Sequence, residues 1–477
     1  MDSKIKEEIY GLFEACFGEA ASYMEMLPPS GSYREYCRLK SASHTAIGAY
    51  NRDVQENRAF LSFSRHFRAQ GVNVPEIYAV NTLGTCYLQE DLGSLTLFDF
   101  LTGERQKGDF PDAVIAVYKQ VLNELPKIQV VAGAGIDYTC CYPRAAFDKQ
   151  SMMWDLNYFK YYFLKLAHIP FDEQALEDDF ERFTQFLLSA DTGYFLFRDF
   201  QSRNIMLHKG TVYFIDYQGG RKGALQYDLA SLLYDAKAGI PQDVRNMLLE
   251  YYLDVLQRYV QPLDREAFRS YFTGYVLIRI MQAMGAYGFR GFYEKKEHFL
   301  KSIPYALDNL QYLLQSSRMA AQLPELYRVL SDVAESEELR AIGAADELTV
   351  SVVSFSYRKG LPADPSGNGG GFVFDCRALK NPGRLDEYRM LTGKDPSVAQ
   401  FLKALPETEP FLSNCFGLVE HTIKVYLQRN YTHLTVGFGC TGGQHRSVYS
   451  AERMATFLRN FPVRVKLTHR ELEKAGK

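Results

Sequence analysis

One stretch constrains this chain more than any other: YFLFRDFQSRNIMLHKGTVYFID, from Tyr194 to Asp216. It reads as an apolar strand, a polar loop holding Asp199 and Asn204, and a second apolar strand that ends on Asp216. A single Asp in a turn is ordinary turn chemistry. An ordered Asp, Asn and Asp set between apolar strands is the inventory for phosphoryl transfer from a metal-bound nucleoside triphosphate. One carboxylate accepts or orients the acceptor hydroxyl, while a carboxamide and a second carboxylate hold the metal against the phosphates. Asp199 is therefore expected to be catalytic, and Asn204 and Asp216 to bind Mg2+, with ATP as the donor.

The sequence of 477 residues is long enough for two or three domains. Its charge is uneven. Residues 345–477 carry 18 Lys and Arg against 13 Asp and Glu, a net of +5, and the remainder carries 36 against 44, a net of -8. A basic C-terminal part on an acidic body points to an anionic ligand there. The overall net charge of -3 favours neither nucleic acid nor membrane as a bulk partner. The eight cysteines form no CxxC pair, which excludes a zinc-ribbon pattern and argues against a disulfide framework. The start reads as a charged amphipathic helix, and no run approaches the ~18–20 apolar residues that span a bilayer. The expected compartment is the cytoplasm, with no membrane partner.

The segment LPPSGSYREYCRLKSASHTAIGAYN reads as a strand meander with Gly31 and Ser32 at its first turn. Small turn residues let backbone N–H groups approach phosphates. The third strand, near 44–51, offers Ala49, Tyr50 and Asn51 where a phosphate-holding Lys would be useful. Arg38 and Lys40 on the preceding strand are the nearest cations considered. A helix follows with Glu56 early in it, placed to orient a basic group or to favour the helix N-terminus. The strand TCYLQEDLG leads into Gln89, Glu90, Asp91 and Leu92, a short polar connector whose backbone suits pairing with an adenine edge. Helical patterns come next. Asp155 lies in their aromatic stripe, Asp228 precedes an apolar helix as a capping carboxylate, and Arg279, Gln282 and Arg290 form a polar face suited to a substrate cleft.

Residues about 20–315 resemble the aminoglycoside phosphotransferase-like kinase family. Its H-x-D-x4-N motif is matched from Phe197-Arg198-Asp199 to Asn204, with Phe where the family often has His. Its I-D-[FWY] metal loop is matched by Ile215-Asp216-Tyr217. The resemblance implies a two-lobed protein-kinase-like fold of α+β class, with ATP and magnesium. SGSYREYCRLK, the missing third-strand Lys, FRDFQSRNIM and YDLASLLYD are similar to the anomeric kinases of N-acetylmuramate and N-acetylglucosamine. That likeness implies a small-molecule sugar acceptor and a place in cell-wall sugar recycling. The expected kinase domain is 1–315, with an N-lobe of about 1–92 and a C-lobe of about 93–315.

Residues 316–346 read as a short helix and a polar, small-residue stretch, the expected linker. From 347 to 477 the character changes to a smaller α/β domain. Its chemical centre is Cys440-Thr-Gly-Gly-Gln-His-Arg446-Ser447, a strand, a Gly-rich loop and a helix start. Such a loop builds an anion site from backbone N–H groups, the helix dipole and a guanidinium. The C-x5-R-S spacing also equals the phosphocysteine phosphatase loop, with Asp364 and Asp395 as candidate general acids.

SYRKGLP, FVFDCRALKNP, LTGKD, GCTGGQHRSV and THRELEK are similar, in order, to the C-terminal domain of the RNase adapter family RapZ. That resemblance implies a sensor that binds glucosamine-6-phosphate and contacts small regulatory RNAs. It places an anion or sugar-phosphate site on Thr441, Gly442, Gly443, His445, Arg446 and Ser447, with Asp375, Arg377 and His469 at further motif positions. The P-loop domain of that family, GxxxxGK[ST], is not found in this sequence, and a kinase-like domain stands in its place. The leading expectation is a sugar kinase fused to a domain binding a phosphorylated amino sugar or a nucleotide sugar. The alternatives are a degenerate kinase scaffold with an RNA-adapter role, and a kinase–phosphatase fusion using Cys440.

Overall fold

The computed structural model describes residues 1–28, 34–105, 110–316, 319–344, 348–362, 371–428 and 431–473. Gly31, Ser32 and Asp364 lie outside the described residues. The chain divides into two compact units, Met1–Arg340 and Ala341–Lys477.

The first unit opens with helix α1 (Ser3–Phe17), whose N-terminus is capped by Asp2 accepting from the Ile5 N–H at 2.9 Å. It then forms an antiparallel sheet of β1 (Tyr23–Met26), β2 (Glu35–Lys40), β3 (Thr45–Tyr50), β4 (Ile77–Val80) and β5 (Cys86–Glu90), in the order β1-β2-β3-β5-β4. Side chains on successive strand residues face opposite ways. Cys37, Leu39, Ala46, Cys86 and Leu88 therefore share one face and pack on Ile9 and Phe13 of α1. Gly48 belongs to that face, where an added Cβ would come within 2.6 Å of Ile9. The other face, carrying Tyr36, Ala49 and Tyr87 in register, is left for α2 (Val54–Ala69) and the cleft.

The second lobe is mainly helical. It carries two hairpin-like pairs, β6 (Tyr194–Leu196) with β9 (Arg221–Gly223) and β7 (Ile205–His208) with β8 (Thr211–Phe214). The two lobes are those of the expected protein-kinase-like α+β architecture. The helical patterns are interrupted: Lys149–Phe159 passes through a wide turn at Lys160–Leu164 before Glu173–Leu188 begins.

The stretch 316–346, expected to be a linker, largely belongs to the first unit. Helix Pro324–Glu335 buries Leu326, Val329, Leu330 and Val333, an i, i+3, i+4, i+7 stripe. The Leu326 N–H donates to Asp179 of helix Glu173–Leu188 at 2.8 Å. The polar residues that suggested a linker form the outer face of an amphipathic helix.

The second unit is a parallel sheet in the order β11-β12-β10-β13, made by β10 (Thr349–Ser356), β11 (Gly371–Asp375), β12 (His433–Cys440) and β13 (Arg464–His469). Val350, Val352, Val436 and Phe438 pack with Ala451, Met454 and Leu458 of helix Arg446–Leu458. A parallel sheet covered by helices is the expected smaller α/β architecture. No described helix is long and apolar enough to cross a membrane.

Candidate active site

β6 delivers the chain into Phe197-Arg198-Asp199, and the strand pair β7–β8 returns it to Asp216. Two non-glycine residues here adopt left-handed backbone, Arg198 at φ 84° and Asp216 at φ 67°. Such backbone costs about 1–2 kcal/mol per residue and persists where surrounding contacts fix it. Arg198 is fixed twice. Its guanidinium grips Asp155 through two hydrogen bonds of 2.9 and 2.7 Å. Its N–H, with that of Phe197, donates to the Asp228 carboxylate at 3.1 and 2.8 Å. Burial pushes the Asp228 carboxyl up to about 7, against the pull of those two N–H donors and of Gln129. Asp155, in the aromatic stripe, is buried as the partner of Arg198.

Asn204 joins the two halves of the site. Its Nδ2 donates to the Asp199 carbonyl oxygen at 2.8 Å and to Asp216 Oδ2 at 3.3 Å. Gln218 Nε2 donates to the other Asp216 oxygen at 2.7 Å. Burial raises the Asp216 carboxyl above its usual range; the Gln218 hydrogen bond opposes this and the nearby Asp199 charge adds to it. A half-buried carboxylate and a carboxamide oxygen are hard oxygen donors, the set that fits Mg2+. The Asp199 side chain is half exposed and opens on a cleft of about 230 Å³, lined also by Tyr234, Asp235, Arg279, Gln282 and Tyr287. Arg279 lies 4.0 Å from Asp199 and donates to Ser231 Oγ at 2.9 Å and to Gln282. Arg290 pairs with Glu294 instead.

In the first lobe, the structure separates the ATP-site candidates. Arg38 holds Asp91 through hydrogen bonds of 2.8 and 3.1 Å and donates to the Gly93 carbonyl at 3.1 Å. This fixes the connector between the lobes and commits Arg38 there, not at the phosphate end. His208 of β7 donates to the Leu92 carbonyl at 3.1 Å, and the Glu90 N–H donates to the Glu76 carbonyl at 2.8 Å. Gln89 is the β5 partner of Ile47. Lys40 sits exposed at the far end of β2. Glu56 receives Asn51 Nδ2 at 2.7 Å on one oxygen and lies 3.4 Å from Arg34 on the other. The sequence reading passed over Arg34, although it keeps the two-residue spacing with Tyr36 and Arg38 that marks one strand face.

In the second unit, Gly443 takes left-handed backbone, φ 71°, and its N–H donates to Cys440 Sγ at 3.2 Å. Cys440 is buried, and Ser447, fully buried, lies 3.2 Å from its sulfur. Thr441 and Gly442 form the open tip of the loop, tied by the Ser356 hydroxyl donating to the Thr441 carbonyl at 2.7 Å. The Arg446 guanidinium is buried at the start of the helix, and its Nε has no hydrogen-bond partner among the described residues. Its NH1 donates to the carbonyls of Leu379 at 2.8 Å and Arg377 at 3.2 Å, satisfying the turn that follows β11. His445 likewise donates to the Tyr388 carbonyl at 2.9 Å. Asp375 and Arg377 pair with each other at the surface, and the Arg377 guanidinium stacks 4.3 Å from the Tyr357 ring. His469 joins Ser354, at 2.9 Å, to Glu452, at 3.1 Å, inside the unit. Asp395 accepts from the Thr392 N–H and hydroxyl at 2.7 and 2.8 Å, which closes the turn ahead of helix Pro396–Ala404.

Comparison with known proteins agrees with this division. Residues 46–265 match the family model described as the phosphotransferase enzyme family, and residues 348–473 match the RapZ C-terminal domain. A nucleotide-binding protein of Cereibacter sphaeroides is 43% identical over 132 residues, which cover 28% of this chain and 43% of that protein. One of Ruegeria pomeroyi is 40% identical over 140 residues, 29% of this chain and 48% of that protein. The chain thus spans under half the length of these curated relatives. Among solved structures, Plasmodium vivax ethanolamine kinase covers 61% of this chain and 82% of its own, with 13% identity and a TM-score of 0.44.

Proposed function

Starting from a chain that joins a phosphotransferase-family segment to a RapZ C-terminal domain, we propose that it is an ATP-dependent kinase of a hydroxyl-bearing sugar. The acceptor proposed is an amino sugar of the N-acetylmuramate or N-acetylglucosamine type, in cell-wall sugar recycling. The observation that carries the kinase reading is Asn204, whose carboxamide bonds both the Asp199 backbone and the Asp216 side chain. One residue so placed sets the spacing between the group that handles the acceptor and the group that handles the metal.

In this reading Asp199, half exposed on the cleft, orients the acceptor hydroxyl and takes its proton. Asn204 and Asp216 hold Mg2+, which when bound neutralises phosphate charge. Asp91 and Leu92, held by Arg38 and His208, present the connector backbone to the adenine. Tyr234, Gln282 and Arg279 shape the acceptor cleft. The guanidinium of Arg279 beside Asp199 and Asp235 keeps the cleft from being purely acidic. That balance suits a neutral or carboxylate-bearing sugar better than a polycationic aminoglycoside.

For the second unit we propose binding of a phosphorylated amino sugar or nucleotide sugar at the open loop tip, Thr441 and Gly442. The cations proposed to serve it are exposed Lys359, Lys394 and Arg377, which would turn from Glu471, Glu452 and Asp375, with the unpartnered Nε of Arg446. An ATP-consumption screen over N-acetylmuramate, N-acetylglucosamine, other hexoses, aminoglycosides and choline tests the first proposal, with Asp199→Asn as control. Turnover with an amino sugar that the variant loses supports it. Preference for a cationic acceptor, or equal turnover by the variant, rejects it.

A further inference from the structure

The third strand of the first lobe carries no cation. Ala49 occupies its cleft-side face, fully buried, with Tyr36 of β2 and Tyr87 of β5 as its partners in register. A nucleotide with three phosphates still needs a fixed positive charge near the metal loop, since phosphoryl transfer rests on positioning and charge stabilisation. Two of the cations on β2 are unsuited. Arg38 is committed to Asp91 and Gly93 at the lobe connector, and Lys40 is exposed at the far end of the strand.

Arg34 immediately precedes β2 and keeps the strand's alternation, sharing the cleft-side face with Tyr36 and Arg38. Its side chain is almost wholly buried, and its guanidinium lies 5.5 Å from the Phe60 ring centre of α2. One NH2 lies 3.4 Å from Glu56 Oε1 and 3.5 Å from Asn57 Oδ1, both on α2. Glu56 is held from its other side by Asn51. A cation reaching from the sheet to a carboxylate of α2 is the pairing a third-strand lysine would make, here made from the neighbouring strand. The Arg34 charge also reaches Asp216, where it opposes the effect of burial on that carboxyl.

We propose that Arg34 is the phosphate-holding cation of this site, held in position by Glu56. This rests on the ATP-dependent reading given above. A guanidinium offers two parallel donors to phosphate oxygens where an ammonium offers a point charge. The third-strand lysine is then unnecessary, and the small side chain of Ala49 follows from the relocation.

The test is calorimetric binding of Mg-ATP, Mg-ADP and adenosine to the full chain and to Arg34→Met, Arg34→Lys and Glu56→Gln. Arg34→Met is expected to weaken Mg-ATP by about tenfold or more while leaving adenosine within about twofold, because only the phosphate contacts are lost. Arg34→Lys is expected to recover part of the loss. Glu56→Gln is expected to reduce the ratio of ATP to adenosine affinity without removing the charge. A merely structural role for Arg34 would weaken all three ligands together. Should Arg34→Met fail to fold, the same ratio is read from the other two variants. Unchanged ratios in variants of a protein that binds Mg-ATP overturn this proposal and leave the kinase reading standing. Failure of the unaltered chain to bind Mg-ATP overturns both.

Discussion

The Asp228 carboxylate accepts the backbone N–H groups of Phe197, at 2.8 Å, and Arg198, at 3.1 Å, from a fully buried position. A third donor, Gln129 Nε2, converges on it at 3.1 Å. This one side chain fixes the backbone that ends on Asp199. Asp228→Asn offers a single acceptor oxygen to three donors, so at least one is orphaned, at a cost of about 1–3 kcal/mol. The pH dependence has a definite sign. The folded carboxyl titrates at about 7 and an unfolded aspartate near ~3.9. Between these values the native state binds more protons, so this group's contribution to stability falls as pH rises from about 4 to about 7. Urea unfolding across that range is expected to show a shallower fall with pH in Asp228→Asn than in the unaltered chain. Parallel pH profiles would remove Asp228 as a titrating group.

Asp216 is held at a cost to the fold. Burial raises its carboxyl, and the Asp199 charge adds to that effect. Asp216→Asn keeps a residue type that tolerates the left-handed backbone at φ 67°. It also removes the buried charge. The variant also leaves one of the Asn204 and Gln218 amide donors without an acceptor, so the two effects oppose and its melting temperature is expected to stay close to that of the unaltered chain, while turnover falls about 100-fold or more through loss of the carboxylate proposed to hold the metal. Thermal unfolding and ATP consumption measured on the same preparation check both halves. A destabilised variant would show that Asp216 serves the fold.

Much of this was legible in the sequence, and the exceptions have physical causes. Asp199, Asn204 and Asp216 come together because each sits at the end of a short apolar strand, and strand periodicity is readable. Arg34 was missed because its role depends on register: only the pairing Tyr36↔Ala49↔Tyr87 shows which strand face looks at the cleft. The hydrogen bonds that Arg446 Nη1 makes were not legible for a related reason. A helix-start arginine beside a Gly-rich loop suggests an anion, but the carbonyls of Leu379 and Arg377 that use it lie 67 and 69 residues earlier in the chain. The linker expectation failed where composition outweighed period, since the Leu326–Val333 stripe was present in the sequence.

Gly443 gives a test of the loop in the second unit. Its φ of 71° is left-handed, and an added Cβ would come within 2.9 Å of the Ser356 nitrogen and 3.1 Å of the Phe355 carbonyl carbon. These are backbone atoms of β10 and do not swing away. Gly443→Ala is expected to cost about 1–2 kcal/mol from the backbone alone and to displace the Thr441–Gly442 tip. Thermal unfolding reads the first effect. Titration with glucosamine-6-phosphate reads the second, with weaker binding expected. Unchanged stability would show that the loop relaxes freely.

The Arg198–Asp155 pair makes the last prediction. Arg198 places its backbone at φ 84° one residue before Asp199, and two hydrogen bonds to Asp155 hold its side chain against the Phe147 and Tyr227 rings. Asp155→Asn removes the countercharge and leaves the guanidinium in an apolar setting, which costs about 3 kcal/mol. The strain at residue 198 then loses part of its restraint, and Asp199 loses its fixed orientation. The nucleotide contacts proposed above lie elsewhere, on Arg34, Asn204, Asp216 and the Asp91–Leu92 connector. Asp155→Asn is therefore expected to lower the melting temperature and kcat while leaving Mg-ATP affinity within about threefold, a split that marks positioning in the transition state. Calorimetry beside steady-state kinetics separates the outcomes. Loss of ATP binding in a folded variant would place Asp155 in the nucleotide site, and unchanged kcat would leave the pair a purely structural clamp.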